Sequence, residues 1–159
     1  MEPPRDPTAH IPDFKLPAST GQTLGLDSFK GKVPLVVAFI DLEREGDRQL
    51  LEVLNTRHKD FGAERSQILA VARLTARETR EVSEEMDLSV PLLADASGAM
   101  ARAYDAEERP VAIVADKEGR LLRRFDPLPV EDDVSEVTDA LLYAVRAIGT
   151  GSLDREAGG

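Results

Sequence analysis

The sequence predicts an α/β domain with a mixed central sheet, helices on both faces and an N-terminal β-hairpin. Three observations carry this. Two apolar, β-branched runs, VPLVVAFI at 33–40 and QILAVARL at 67–74, each lead into a segment of helical period. That is the pattern of strand–helix units and a parallel section. Further on, PVAIVAD, KEG and RLLRRFD read as strand, tight turn and strand, which adds antiparallel pairing.

The elements follow in order. Residues 1–12 are proline-rich and read as an arm. DFKLPASTGQTLGL, 13–26, reads as two short strands around Ser19, Thr20, Gly21 and Gln22. DSFKGK, 27–32, is a turn, and VPLVVAFI is a central strand. Helical period then runs over 47–62, with Leu50, Leu51, Leu54, His58 and Phe61 on one stripe and Gly62 as the stop. His58 reads as a packed, hydrogen-bonded side chain, because no second histidine lies near it in sequence. After QILAVARL, Thr75 caps a helix with Glu78 completing a capping box, and this helix ends near Met86. VPLLAD is a short extended piece, and SGAMARAYDA a short helix. The late hairpin turns at Asp116 and Gly119, and Arg123 and Arg124 read as strand-face charge. EDDVSEVTDALLYAVRAIG, 131–149, is a long amphipathic helix. It buries Val134, Val137, Leu141, Leu142, Val145 and Ile148, with Asp132 or Asp133 near its start and Arg146 near its end, as the helix dipole favours.

The expected organisation is an arm (1–12), one domain (13–149) and a flexible tail (150–159). A length of 159 residues with 42% hydrophobic content suits a single globular unit with a real core. The formal charge of −10 argues against general affinity for nucleic acid or anionic membrane. No apolar run approaches the ~20 residues that cross a bilayer, and the start of the chain has no apolar leader core. A cytoplasmic location is expected, with no membrane insertion. There are no cysteines, so disulfides, thiolate metal sites, iron–sulfur clusters and thiol catalysis are all excluded. The two histidines, His10 and His58, are too few for a multi-histidine metal site.

The turn after VPLVVAFI is the most charged stretch. DLEREGDRQLLE, 41–52, has the spacing of a calcium loop, with Asp41, Glu43, Glu45 and Glu52 as oxygen ligands and Gly46 at the sharp bend. Three features oppose that reading. Glu replaces the shorter Asp or Asn at tight positions, a strand rather than a helix precedes the loop, and Arg48 stands where an apolar residue belongs. An anion site of Arg44, Arg48 and Arg109 at a helix N-terminus is a second reading. Four acidic residues in the same turn oppose it, and mutual salt bridging on a solvated turn is the plainer account.

Three stretches resemble the alkyl hydroperoxide reductase C and thiol-specific antioxidant group, the peroxiredoxins. IPDFKLPASTGQTLGLDSFKGK resembles the family opening, VPLLADASGAMARAYDA its stretch of the form FPLLSDxxGxxAxAYGV, and PVAIVADKEGRLLRRF its strand and hairpin of the form TFVIDKDGxIxxxF. The resemblance covers about 11–125 and implies a thioredoxin-like fold. It places Asp41 at the family proline, Glu45 at its threonine and Arg48 at its peroxidatic cysteine. In the register of thioredoxin-like relatives, Arg44 and Asp47 fall on the two cysteines. Arg109 is the nearest match to the family's catalytic arginine, one residue early, and Pro110 falls in the slot of a cis-proline. Peroxide reduction needs a thiolate of lowered pKa, and no residue here supplies one. The expectation is a cysteine-less, peroxiredoxin-like protein without thiol peroxidase activity, with no catalytic residue, cofactor or metal. Its expected use is binding or assembly, as a homodimer or with a protein partner. Two alternatives stand beside it: an antioxidant protein acting with a cysteine-bearing partner, and a non-thiol enzyme or ligand-binding protein that reuses the 41–48 turn with Arg109.

Overall fold

The computed structural model describes residues 10–130 and 133–149. The first nine residues of the arm, Asp132 and the 150–159 tail lie outside them. An antiparallel hairpin, β1 (Lys15–Pro17) and β2 (Thr23–Gly25), is followed by a 3-10 turn over Leu26–Ser28. The central sheet holds β3 (Leu35–Phe39), β4 (Gln67–Ala72), β5 (Leu92–Ala94), β6 (Val111–Ala115) and β7 (Leu121–Phe125), in the order β5-β4-β3-β6-β7. Strands β3, β4 and β5 are parallel, and β6 and β7 run antiparallel, as the helix-linked and hairpin-linked runs require. In the middle, Val37 pairs with Leu69 on one side and with Ile113 on the other.

Alternate residues of β3 feed two cores, one on each face of the sheet. Val36 and Ala38 face Leu50, Leu51 and Leu54 of α1 (Glu45–Thr56), Phe61 of α2 (His58–Ala63), and Leu141 and Leu142 of α5 (Val134–Gly149). Val82 and Met86 of α3 (Ala76–Met86) pack against the same cluster. Val37 and Phe39 face Ile11, Phe14 and Met100, the last on α4 (Ala99–Ala103). Helices therefore cover both faces, and the N-terminal hairpin completes the second layer. Ile11 is buried there, so the end of the 1–12 segment belongs to the core. No helix among the described residues is long and apolar enough to cross a membrane.

Several sequence expectations hold at the level of single bonds. Thr75 Oγ1 accepts the Glu78 N–H at 3.1 Å, and Glu78 Oε1 accepts the Thr75 N–H at 2.9 Å. Asp116 Oδ1 accepts the Glu118 and Arg120 N–H groups in the hairpin turn, where Gly119 adopts φ +83°. His58 is half-buried, its Nδ1 2.7 Å from the Asn55 carbonyl oxygen. Two expectations are corrected. The helix over 47–62 begins earlier, at Glu45, and is two helices with a bend at Arg57. Thr56 donates its hydroxyl to the Glu52 carbonyl, a bond that loosens a helix, and Arg57 is held by Asp60 of α2 and Asp139 of α5. Arg124 is not solvated charge: its side chain is only 11% exposed and donates to the Tyr104 and Asp105 backbone carbonyls.

Candidate functional site

The carboxyl ends of β3 and β4 lie side by side, and the chain leaves them for α1 and α3. Ligands of open α/β sheets bind at this end. A cavity of about 500 Å³ opens here. Its floor is Phe39, Ile40, Val71 and Ala72, all buried. One wall is the turn after β3, with Asp41, Leu42, Glu43 and Arg44. A second is the segment after β4, with Arg73, Leu74 and Glu78, facing Asp95, Gly98 and Ala101 of the α4 region. The last is the loop before β6, with Ala106, Glu107, Glu108 and Arg109.

The predicted residues divide between this cavity and other places. Asp41, Glu43, Arg44 and Arg109 line it, whereas Glu45, Asp47, Arg48, Glu52 and Pro110 do not. Asp41 Oδ1 accepts the Glu43 N–H at 2.9 Å, which folds the turn locally. Arg44 precedes α1 and donates Nη2–H to the Glu108 carbonyl at 2.6 Å, tying turn to loop. Arg48, expected from the resemblance to stand at the cysteine position, pairs with Glu85 of α3 at 2.9 Å. Arg109 is turned onto Asp126, with Nε and Nη2 at 2.6 and 2.7 Å from its two oxygens. The three arginines thus serve three separate partners, and the anion site imagined for them is not assembled. The Arg109–Pro110 bond is trans; the cis peptide among the described residues is Asp126–Pro127. Pro110 is buried at the start of β6, and its carbonyl accepts the Leu128 N–H at 2.8 Å.

The calcium-loop residues do not close around a centre. Since α1 begins at Glu45, Glu52 stands seven residues along it, about 10 Å up the axis, and is exposed. Glu45 accepts from Gln49 at 3.5 Å along the same helix. Among the described residues, no group of three or more histidines or carboxylates is placed to hold a metal ion.

Electrostatics separate two carboxylates. Asp47 is fully buried, and burial raises its pKa above the usual carboxylate value, against the lowering effect of the Asp41 N–H, 2.8 Å from Oδ2. Its Oδ1 has no partner among the described residues. Asp126 is the opposite case. Its hydrogen bonds from Arg109, and then those from Arg124, hold its pKa at about 2. Both arginines also donate to carbonyls of the loop before β6: Arg109 to Asp105 and Glu107, Arg124 to Tyr104 and Asp105. This clamp fixes a loop in which Asp105 and Glu108 take left-handed backbone angles, φ 51° and 66°.

Sequence reading missed Arg73, Gly98, Asp126 and the role of Arg124. Asp126 lies seventeen residues from Arg109 in a different strand end, and no local pattern links them. Arg73 carried a usable signal, because it directly follows a strand whose carboxyl end faces the cavity.

The strand–helix–strand units, the antiparallel hairpin and the closing helix define a thioredoxin-like fold with an added N-terminal hairpin. Solved structures agree. The Mycobacterium tuberculosis peroxidoxin BcpB superposes with a TM-score of 0.78 at 21% identity, over 89% of this chain and 96% of that one. A Xanthomonas campestris bacterioferritin comigratory protein, studied for alkyl peroxide reduction, gives 0.75 at 21% identity, over 86% and 92%. The reduced 2-Cys peroxiredoxin of Plasmodium vivax gives 0.78 at 16% identity, over 94% and 84%. No curated protein matches the chain significantly. The profile of the AhpC/TSA family matches residues 7–124, and the chain belongs to that family. It is a redoxin-family chain with no cysteine.

Proposed function

We propose that this protein acts by binding and not by thiol chemistry, as a homodimer or as a subunit of a larger assembly. The observation that carries the reading is the lining of the cavity, which among the described residues contains no cysteine, serine, threonine, histidine or lysine. The arginine nearest the family's catalytic one, Arg109, is committed to Asp126. A peroxide placed in this cavity meets neither an attacking thiolate nor an uncommitted Arg109. A non-thiol enzyme would want its perturbed carboxyl in the cavity. Among the described residues the carboxyl with the raised pKa is Asp47, which lies outside it, and this supports binding over catalysis.

The test has two arms. Hydrogen peroxide and an alkyl hydroperoxide are offered to the protein with thioredoxin or dithiothreitol as reductant, and no turnover above the protein-free rate is expected. Turnover at an ordinary peroxiredoxin rate overturns the first half of the proposal. Affinity purification from the native cell, with mass spectrometry and sedimentation, is expected to show a dimer or a stable companion. A monomer with no companion overturns the second half.

A further inference from the structure

The charges around the cavity are unevenly committed. Arg44 and Arg109 are held by Glu108 and Asp126. Arg73 is exposed, lines the cavity, and among the described residues its guanidinium has no hydrogen-bond or ion-pair partner. It lies over Gly98, beside a second guanidinium. A methyl group added to Gly98 would stand 3.4 Å from Arg73 Cζ and Nε and 3.3 Å from Arg102 Nη1. Arg102 donates to the Ser97 carbonyl at 3.0 Å and, like Arg73, has no carboxylate within ion-pair distance among the described residues. Two like charges flanking one point repel each other, and an anion between them turns that repulsion into two charge-assisted hydrogen bonds.

The carboxylates closest in sequence to this end are occupied. Asp95 accepts the Met100 and Ala101 N–H groups at 3.1 and 3.0 Å, and Glu78 accepts that of Thr75. Gly98 itself keeps the site open. Its φ of +76° is a conformation that other residues rarely adopt, and any side chain there would crowd both guanidinium groups. The remaining carboxylates of the lining, Asp41, Glu43, Glu107 and Glu108, sit on the turn after β3 and the loop before β6. They disfavour a polyanion in the same cavity. The floor between is apolar, and the volume of about 500 Å³ lies within the range of small-molecule pockets.

We propose that this cavity binds a small organic monocarboxylate, its head on Arg73, with Arg102, outside the lining but beside Arg73 at Gly98, as a second donor, and its apolar body over Ile40, Val71 and Leu74. The assignment stands apart from the assembly reading above, since it concerns a ligand of the single chain.

Benzoate, its neutral counterpart benzamide, and acetate are the probes, titrated into the intact protein at low ionic strength with calorimetry and amide NMR shifts. Benzoate is expected to bind at least about tenfold more tightly than benzamide or acetate. It should shift amides around Ala72, Arg73 and Gly98. Arg73→Gln is expected to weaken benzoate by about tenfold or more while leaving benzamide unchanged. Arg80→Gln, on the exposed side of α3 and outside the cavity, is the charge-matched control and should leave both unchanged. Thermal melts confirm that each variant is folded. Equal binding of benzoate and benzamide, acetate binding as well as benzoate, equal losses in Arg73→Gln and Arg80→Gln, or no benzoate binding at millimolar concentration each overturns the proposal.

Discussion

Replacing Asp126 by Asn should destabilise the protein by an amount that depends on pH in a defined direction. Asp126 holds both Arg109 and Arg124, and its pKa is lowered from 3.8 to about 2. A group with a depressed folded-state pKa adds stability above its unfolded value, and loses it as pH falls through the folded one. At 1.36 kcal/mol per pKa unit the drop corresponds to at most about 2 kcal/mol. The carboxylate is 21% exposed, so solvent and salt screen much of this, and about 1 kcal/mol is the expected net loss at pH 7. Urea melts of the wild type and Asp126→Asn between pH 7 and pH 2 measure it. The difference should be constant down to about pH 4, then shrink toward pH 2 as the wild-type carboxylate is protonated. A gap that stays flat across that range, or no gap at pH 7, would refute the clamp. Arg109 would then be available to the cavity.

Other outcomes follow from the same contacts. Asp47 has a pKa raised by burial, so its contribution is largest at low pH and falls as pH rises through its folded value. Asp47→Asn retains an acceptor for the Asp41 N–H without the buried charge, and should match or exceed wild-type stability at pH 7 in denaturant melts. Asp47→Ala leaves that N–H without its acceptor and should cost about 1–3 kcal/mol. Arg48→Ala breaks a pair whose Glu85 partner is 69% exposed and should change stability by only about 0.5 kcal/mol. Calcium at 1 mM should raise the melting temperature no more than magnesium does. A loop with Kd near 10 μM would stabilise the fold by about 2.7 kcal/mol, a gain that Glu52→Gln would abolish.

The sheet and its helices were legible in the linear pattern because period and punctuation are local properties. VPLVVAFI has no polar face, so it had to be a central strand, and every residue from Leu35 to Phe39 is buried. Thr75 and Glu78 are three residues apart, and the capping box they form needs nothing beyond that spacing. The lack of cysteine likewise follows from composition alone and removes thiol chemistry whatever the fold. The directions of the charged side chains were decided only by tertiary structure. Arg44, Arg48 and Arg109 looked like one group in sequence, yet each swings to the partner its own backbone position brings within reach: a loop carbonyl, a carboxylate on α3, and Asp126 beyond β7. Long arginine side chains carry no periodic signal, and their partners lie tens of residues away. Arg73 and Arg102 come to one spot only because β4 ends beside the start of α4, where a left-handed Gly98 leaves room for both. Hydrophobic period specified the layers, while the site depends on where the strand ends meet, and that is a property of the folded sheet.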